Sequence, residues 1–176
     1  IISYPGHIKE GAKCHQLVQN IDFAQTFLAL AGVKKPAEMS GRSLQPLFKG
    51  DRVKNWRKDL YYHYYDYPTY HLVRKHDGVR NDRYKLIHFY GKGSDRAVQE
   101  NKYQRTPGTG EYYTYQALKK INYFRDDADI DYYELYDLQT DPDELNNIYG
   151  KPGTEKVTKQ LLKRLADYRK TLKVDE

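Results

Sequence analysis

The chain has 176 residues, of which 39% are hydrophobic and 31% charged, and its net charge is +6. This length suits one domain, or one domain with a small lobe, and its 19 tyrosines are not typical of a disordered composition. The single cysteine excludes an internal disulfide, and we expect no membrane span, because no apolar run reaches the ~20 residues that a spanning helix needs.

The first 55 residues read as the end of a larger domain. The chain begins Ile-Ile-Ser-Tyr-Pro-Gly without a methionine, so residues 1–4 are interpreted as the end of a strand and the sequence as a fragment whose N-terminal part is missing. Asn20 or Asp22 is expected to cap a helix that Gly32 ends. A further turn of helix is predicted at 41–48. The first helix has an apolar stripe that needs a sheet outside this sequence: Ala24, Phe27, Leu28 and Ala31.

Four later segments have the aromatic and β-branched content of strands: 60–65, 72–80, 82–90 and 133–138. We expect the last two to be adjacent and antiparallel, because their alternation matches and their charges are opposite. Basic residues dominate from 71 to 92, whereas every charged residue from 126 to 144 is acidic. Pairing of these regions cancels much of the positive charge, so we expect no nucleic-acid partner.

After the fourth strand the chain is predicted to turn at Asp141 and Pro142, with Asp141 capping a short helix. The last helix is expected to begin near Pro152 or Thr154. Its Lys and Arg residues are expected in solvent, and its apolar residues form one face: Val157, Leu161, Leu165, Tyr168 and Leu172.

Together these elements predict an α+β fold, in which a small antiparallel sheet of about four strands is packed by the C-terminal helix. Residues 91–131 contain glycines and a proline but little periodicity. A loop of this length is uncommon in a compact domain, so we interpret it as an insertion.

Candidate nucleophiles and metal ligands are scarce. Cys14 has only His15 beside it, and adjacent residues do not face each other, so an incidental thiol is the simpler interpretation. Four carboxylates between 137 and 144 suit calcium, yet turn and cap roles already explain them. Three histidines match no zinc spacing, and we expect no metal site here: His63, His71 and His76.

The segment Tyr61-Tyr62-His63-Tyr64-Tyr65-Asp66-Tyr67 is the more informative candidate. Half of its side chains must face a core, and the other half can present rings and hydroxyls to a polar ligand such as a sugar. Because three basic residues follow closely, an anionic sugar is the favoured ligand class: Arg74, Lys75 and Arg80.

Six sequence blocks cover nearly the whole chain except 91–131: Tyr4-Pro-Gly, Asn20-Ile-Asp-Phe-Ala-Gln-Thr-Phe-Leu-Ala-Leu-Ala-Gly32, Gly41-Arg-Ser-Leu-Gln-Pro-Leu47, 60–65, Gly78-Val-Arg-Asn-Asp-Arg-Tyr-Lys-Leu-Ile87 and Glu134-Leu-Tyr-Asp-Leu-Gln-Thr-Asp-Pro-Asp-Glu-Leu-Asn-Asn147. In these blocks and in their order, the sequence resembles the C-terminal part of the type I sulfatases, the alkaline-phosphatase-like sulfuric ester hydrolases. It is most similar to bacterial arylsulfatases and N-acetylglucosamine-6-sulfatases acting on sulfated glycans.

The resemblance implies that residues 1–55 are the incomplete end of an α/β/α catalytic domain and that residues 56–176 are its C-terminal antiparallel-sheet subdomain. It also implies a formylglycine nucleophile, made from Cys or Ser in a C/S-x-P-x-R motif, and a calcium ion in the full-length enzyme. No cofactor is expected in this fragment, since Cys14 is followed by His15 and Gln16, which breaks the motif. The insertion is the larger departure from the family, and Gln25 in place of a common proline is a minor one.

The function that follows from the resemblance is a C-terminal sulfatase fragment, inactive alone, that contributes to the substrate cleft. Its expected partners are a sulfated carbohydrate and the missing N-terminal catalytic domain, and its expected location is periplasmic or secreted. Two alternatives stay open, a sugar-binding or interaction module without catalysis and a fragment of a phosphoester hydrolase of the same superfamily. Four residues are predicted to face the substrate: His63, Tyr65, His71 and His76.

Overall fold

A computed structural model describes residues 1–50, 53–64, 73–91 and 129–174. The chain divides into two compact units, Ile1–Leu60 and Tyr61–Glu176. The assignment of residues 1–55 to the end of a catalytic domain stays a prediction. The predicted insertion 91–131 lies outside the described residues except at its two ends.

The first unit is built around one helix, α1, at Ile21–Leu30, followed by a short 3-10 helix at Gln45–Leu47. The turn of helix predicted at 41–48 is therefore confirmed. The strand predicted at residues 1–4 is wrong, because within the described part of the chain no neighbouring strand pairs with these residues.

Asp22 is fully buried and joins α1 to the segment before the 3-10 helix. Its carboxylate accepts hydrogen bonds from the backbone amides of Gln19 and Arg42, at 2.7 and 2.9 Å, and from the guanidinium of Arg57. Burial by itself would raise the pKa of Asp22, but these donors outweigh it and hold the pKa below its ordinary value. Asn20 occupies the N-cap position of α1, as predicted, although its side chain makes no cap hydrogen bond.

The faces of α1 are reversed relative to an ordinary surface helix. Its buried side chains are polar: Asp22, Gln25 and Thr26. Its large apolar side chains are instead exposed: Ile21, Phe23, Phe27 and Leu30. The polar side is satisfied inside the unit in part by Thr26, whose hydroxyl donates to the carbonyl of Asp22 at 2.7 Å and accepts from the amide of Leu44 at 2.9 Å.

The second unit contains a four-stranded sheet in the order β1-β2-β3-β4. The strands are β1 at Asp59–Tyr64, β2 at His76–Asn81, β3 at Tyr84–Gly91 and β4 at Ile130–Asp137. The two pairs β2/β3 and β3/β4 are antiparallel. This confirms the predicted fold class and the predicted pairing of 82–90 with 133–138, in which Leu86 lies opposite Leu135.

The connection between β2 and β3 is a tight turn centred on Asn81. Its side-chain oxygen accepts hydrogen bonds from the amides of Arg83 and Tyr84, at 2.9 and 2.7 Å. This is the local bonding that makes Asn a favoured turn residue. The turn sets the register in which Arg80 lies opposite Lys85.

The last helix, α2, spans Glu155–Leu172 and packs on one face of the sheet. Thr154 occupies its N-cap position, as predicted. On the predicted apolar face, Leu161 and Leu165 are almost fully buried, Val157 and Tyr168 are half-buried, and Leu172 at the end of the helix is 45% exposed. The buried core of the unit joins both elements: Tyr61, Val79, Leu86, Leu135, Leu161 and Leu165.

The segment between β4 and α2 does not form the predicted short helix. Asp141 instead accepts the amides of Leu145 and Asn146, at 3.1 and 2.9 Å, and Glu144 has the left-handed φ of 56° that a helix excludes. Asn147 then bonds the outer edge of β4. Its side chain accepts the amide of Leu135 at 3.0 Å and donates to the carbonyl of Tyr133 at 3.3 Å.

Candidate functional site

Of the predicted substrate-facing residues, His63 and His76 are described, and they lie near one end of the sheet but on opposite faces. Tyr65 and His71 lie outside the described residues. His63 on β1 points to the face that carries α2, because it contacts Tyr90. His76 on β2 points to the opposite face, because it contacts Phe89 and Tyr64. A single cleft surface of the sheet cannot contain both histidines, and their substrate-binding role stays a prediction.

On the face that carries α2, His63 belongs to a pair of bonded rings. The hydroxyl of Tyr90 and Nε2 of His63 lie 2.8 Å apart and share a hydrogen bond. The ring of Tyr90 is also covered by the cations of Lys75 and Arg169, at 4.7 and 5.3 Å from its centroid. Such cation–π contacts favour a fixed ring position, so this side of the sheet end is packed.

A buried ion pair lies beside these rings. Asp77 on β2 is fully buried and accepts two hydrogen bonds from the guanidinium of Arg169 on α2, at 2.6 and 2.7 Å. The hydroxyl of Tyr61 donates to the same carboxylate at 3.0 Å. Burial, followed by the negative charge of Asp77, raises the pKa of Tyr61, so this tyrosine stays protonated. Because a buried carboxylate needs such donors, the arrangement fixes α2 on the sheet.

His88 extends this network to the start of β4. Its Nδ1 lies 2.6 Å from Nη2 of Arg169, and its Nε2 lies 2.7 Å from Oδ1 of Asp131. Arginine can only donate, so Nδ1 of His88 accepts and the ring proton sits on Nε2, from which it is donated to Asp131. The imidazole is therefore held in one tautomer, stacked on Tyr133 at 4.2 Å.

The opposite face carries a row of four rings, one from each strand. Tyr64 stacks on His76 at 5.4 Å, His76 meets Phe89 at 5.0 Å, and Phe89 stacks on Tyr132 at 4.8 Å between centroids. We call these residues the ring row. The spacing matches the distance between neighbouring strands. Tyr132, at the β4 end, is 42% exposed, and the other three are half-buried.

His76 is the member of the ring row with an open polar atom. Its Nδ1 lies 2.7 Å from the carbonyl of Arg74, which can only accept, so the ring proton sits on Nδ1. The lone pair on Nε2 has no hydrogen-bond partner among the described residues. This acceptor lies on the same face as the exposed, hydroxyl-bearing ring of Tyr132, with Phe89 between the two rings, and such a surface suits contact with a polar ligand such as a sugar.

The described residues supply positioning groups but no assembled catalytic centre. They contain no group of three His, Cys, Asp or Glu residues that is arranged to hold a metal ion. Three of the four carboxylates considered for calcium have separate bonds: Asp137 binds Arg83, Asp141 binds two backbone amides, and Glu144 binds Lys85. Cys14 is an exposed thiol.

Three residues of this network are not predicted from the sequence: Asp77, His88 and Arg169. The prediction that Arg169 lies in solvent with the other basic residues of α2 is wrong, because its side chain is 20% exposed and binds Asp77. One signal is present in the sequence. Asp77 lies two residues before Val79 and therefore on the same, apolar face of the strand, and a buried carboxylate in such a position requires a cationic partner.

Comparison with known proteins identifies relatives along the whole chain. The family described as "N-sulphoglucosamine sulphohydrolase, C-terminal" matches residues 1–104 and 97–171. The chain is 37% identical over 175 residues to an N-acetylglucosamine-6-O-sulfatase of Bacteroides thetaiotaomicron, covering 98% of this chain and 25% of the relative. It is 28% identical over 180 residues to an ulvan-active sulfatase of Formosa agariphila, covering 97% of this chain and 32% of the relative.

A solved structure agrees with these matches. In this structure the protein is in complex with its substrate, D-glucosamine-2-N,6-O-disulfate. The present chain superposes on it with a TM-score of 0.75 and shares 36% sequence identity with it. The match covers 100% of this chain and 28% of that one. The chain therefore spans about a quarter to a third of the length of the relatives it matches. None of the helices in the described residues is both long and apolar enough to cross a membrane.

Proposed function

Because this chain belongs to the N-sulphoglucosamine sulphohydrolase C-terminal family, we propose that it is the C-terminal part of a sulfatase that hydrolyses sulfate esters of glycans. In this proposal the nucleophile and the metal belong to a catalytic domain outside the present sequence. The names of the relatives favour a sulfated glucosamine as substrate. The role of the present chain is to complete the catalytic domain and to border the substrate.

The observation that supports this proposal most strongly is the exposed apolar face of α1. Phe27 is 66% exposed, and Ile21, Phe23 and Leu30 are 40–47% exposed. Burying a large apolar side chain is worth about 1.5–3 kcal/mol, so an unpartnered face of this kind is unfavourable in water. An apolar pocket of about 290 Å³ adjoins this face, with Phe23, Ile8 and Leu44 in its wall.

The relatives are three to four times as long as the present chain, and their additional length can supply the sheet that covers this face. The polar side of α1 is already bonded to its own unit through Asp22 and Thr26. The helix is therefore held with its apolar side outward, as a helix on the surface of an α/β sheet requires. The proposed partner is this catalytic domain of the same polypeptide.

Calcium and formylglycine, which sulfatases of this kind use, do not fit the described residues of this chain. The thiol of Cys14 is not followed by the C-x-P-x-R sequence, and the acidic residues Asp137, Asp141 and Glu144 are engaged by other groups. We assign both groups to the remaining part of the enzyme. The contribution of this chain to chemistry is binding and orientation, for which the proposal uses the ring row with His76.

The test is sulfate release from N-acetylglucosamine 6-sulfate by the full-length protein that contains this chain. We expect activity in the wild type and a loss of soluble, active enzyme in Phe27→Asp, because the charge blocks burial of the α1 face. Leu145→Asp is the matched control, since Leu145 is 79% exposed in the second unit, and it should keep full activity. No activity in the wild type on sulfate esters would favour a binding module instead, and full activity in Phe27→Asp would contradict the docking role of α1.

A further inference from the structure

We propose that the outer face of α2 binds the sulfate groups of a glycan polymer. This inference rests on the proposed function, because it assumes a sulfated glycan as the partner. Four exposed lysines carry it: Lys156, Lys159, Lys163 and Lys170. We call them the lysine row. Their spacing of three, four and seven residues places them along one narrow stripe of the helix, about 21 Å long. The stripe lies opposite Leu161 and Leu165, which pack on the sheet.

The charges of the lysine row are mostly not neutralised by the protein. Lys163 binds Asp167 at 2.8 Å. In the part of the chain that the structure describes, Lys156, Lys159 and Lys170 form no ion pair. Along α2 the sequence supplies two acidic residues, Glu155 and Asp167. The outer face of the helix therefore presents a row of positive charge to solvent.

Helix stability accounts for Lys170, which lies in the last turn where the helix dipole favours a cation, and for Lys163, which pairs with Asp167, but it does not account for Lys156 and Lys159. Lys156 lies in the first turn, where the positive end of the helix dipole disfavours a cation. The pairs Lys156/Lys159 and Lys159/Lys163 are three and four residues apart, and like charges at this spacing repel each other on a helix. An anion bound along the stripe relieves both penalties, so the arrangement fits a polyanionic ligand better than an empty surface.

The kind of polyanion follows from the rest of the helix. A helix that binds a membrane surface needs a free apolar face beside its cationic one. In α2 the apolar face is occupied, since Leu161 and Leu165 are 3% and 2% exposed within the core. Lysine ammonium groups act as flexible point charges without a fixed geometry. They suit a series of sulfate groups on a linear sugar chain, for which exact spacing is not required.

The experiment compares two variants of equal net charge in the full-length protein. In the test variant, Lys156, Lys159, Lys163 and Lys170 are changed to Gln. In the control variant, four exposed lysines of the first unit are changed to Gln: Lys9, Lys34, Lys49 and Lys54. Affinity for immobilised heparin is measured as a function of NaCl concentration. Each lysine–sulfate ion pair is individually weak, but the test variant loses all four of them. We therefore expect the test variant to bind heparin at least roughly fivefold more weakly than the wild type, and the control variant to bind it nearly as well as the wild type.

Two results would overturn the proposal. An equal loss in both variants would show that net charge alone governs binding. The binding of phosphatidylserine vesicles and of duplex DNA is measured with the same variants. If the test variant loses more affinity for either of these than for heparin, the lysine row belongs to a different partner. Turnover of N-acetylglucosamine 6-sulfate is measured in parallel. This small substrate does not need the outer face of α2, so unchanged turnover together with weakened heparin binding in the test variant supports the inference. If the wild type shows no turnover, the result counts against the proposed function and not against the lysine row.

Discussion

Arg169, near the end of α2, binds Asp77 on β2 through two hydrogen bonds, although 92 residues separate them in the sequence. The side chain of Asp77 is fully buried, and that of Arg169 is 20% exposed. Removal of one partner leaves a charge without compensation in a poorly solvated place, and such losses typically cost ~3–5 kcal/mol. The pair is therefore the main polar constraint that sets the position of α2 on the sheet.

We predict that Arg169→Ala lowers the free energy of unfolding by ~3–5 kcal/mol in urea denaturation. Lys159→Ala on the outer face of the same helix is the control and should stay within ~0.5 kcal/mol of wild type. The double variant Asp77→Val with Arg169→Met removes both charges and should recover part of the loss. A small effect of Arg169→Ala alone would mean that Asp77 finds other donors.

The apolar side of α2 gives a second stability prediction. Leu161 is 3% exposed, so Leu161→Ala should cost ~2–5 kcal/mol through lost burial and the cavity left behind. Leu172 is 45% exposed on the same helix. Leu172→Ala should therefore change stability by no more than ~0.5 kcal/mol. Equal losses at both positions would show that the end of α2 is buried in solution.

Asp22 predicts an acid-sensitive contribution to stability. Its pKa is lowered in the folded state, so the carboxylate form is favoured by folding. The resulting stabilisation is fully present above the unfolded-state pKa, near 3.8, and is lost as the pH falls through the lower folded-state pKa. Unfolding free energies measured between about pH 2 and pH 6 should show this decline in wild type.

The matched variants for that measurement are Asp22→Asn and Asp143→Asn. The first removes the titrating group, so the decline in stability on acidification should become shallower. The second changes an exposed carboxylate in the turn after β4 and should leave the decline as in wild type. Identical pH profiles for wild type and Asp22→Asn would show that Asp22 does not contribute.

The opposite orientation of His63 and His76 separates their predicted roles. His76→Phe preserves a ring in the ring row but removes the open Nε2 acceptor. If the ring row borders the substrate, this change should raise KM for N-acetylglucosamine 6-sulfate. Because it also removes the hydrogen bond that Nδ1 donates to the carbonyl of Arg74, it should lower the free energy of unfolding by about 0.5–1.5 kcal/mol. His63→Phe should affect stability in the same way, because it breaks the hydrogen bond to Tyr90, but it should leave KM near wild type. A raised KM for His63→Phe alone would move the substrate to the face that carries α2.

The isolated 176-residue chain should not hydrolyse sulfate esters. Such cleavage needs an activated nucleophile and a cation that stabilises charge on the sulfate oxygens. Cys14 lacks the sequence context for conversion to formylglycine. The assay uses 4-nitrocatechol sulfate and a sulfated glucosamine with added calcium. Turnover that persists in Cys14→Ala would reveal an unrecognised centre, and turnover that this change abolishes would identify the thiol as a nucleophile.

Local patterns in the sequence were sufficient to predict the sheet and its pairing. The alternation of 82–90 matches that of 133–138, and Leu86 lies opposite Leu135 as such a pairing requires. The ion pair that holds α2 on the sheet could not be predicted in the same way. Arg169 follows the same local periodicity as the solvent-exposed basic residues of α2, and only the sheet position of Asp77 distinguishes it.

The same limit applies to the turn after β4. Asp141 followed by Pro142 is compatible with a helix start, but its carboxylate binds amides in a compact turn. At the candidate site, the histidines were predicted from composition. Which face of the sheet each one occupies depends on strand register, and a shift by one residue reverses it. The sequence alone therefore could not show that His63 and His76 point to opposite faces of the sheet.

The side chain of Asn147 has a consequence for the behaviour of the protein at high concentration. Among the strands that the structure describes, β4 is the last of the sheet, and an open last strand invites pairing with a strand from another molecule. Asn147 and the amide of Ile148 bond the outward backbone groups of Tyr133 and Leu135. The chain thus shields this edge against intermolecular aggregation with its own backbone and one amide side chain.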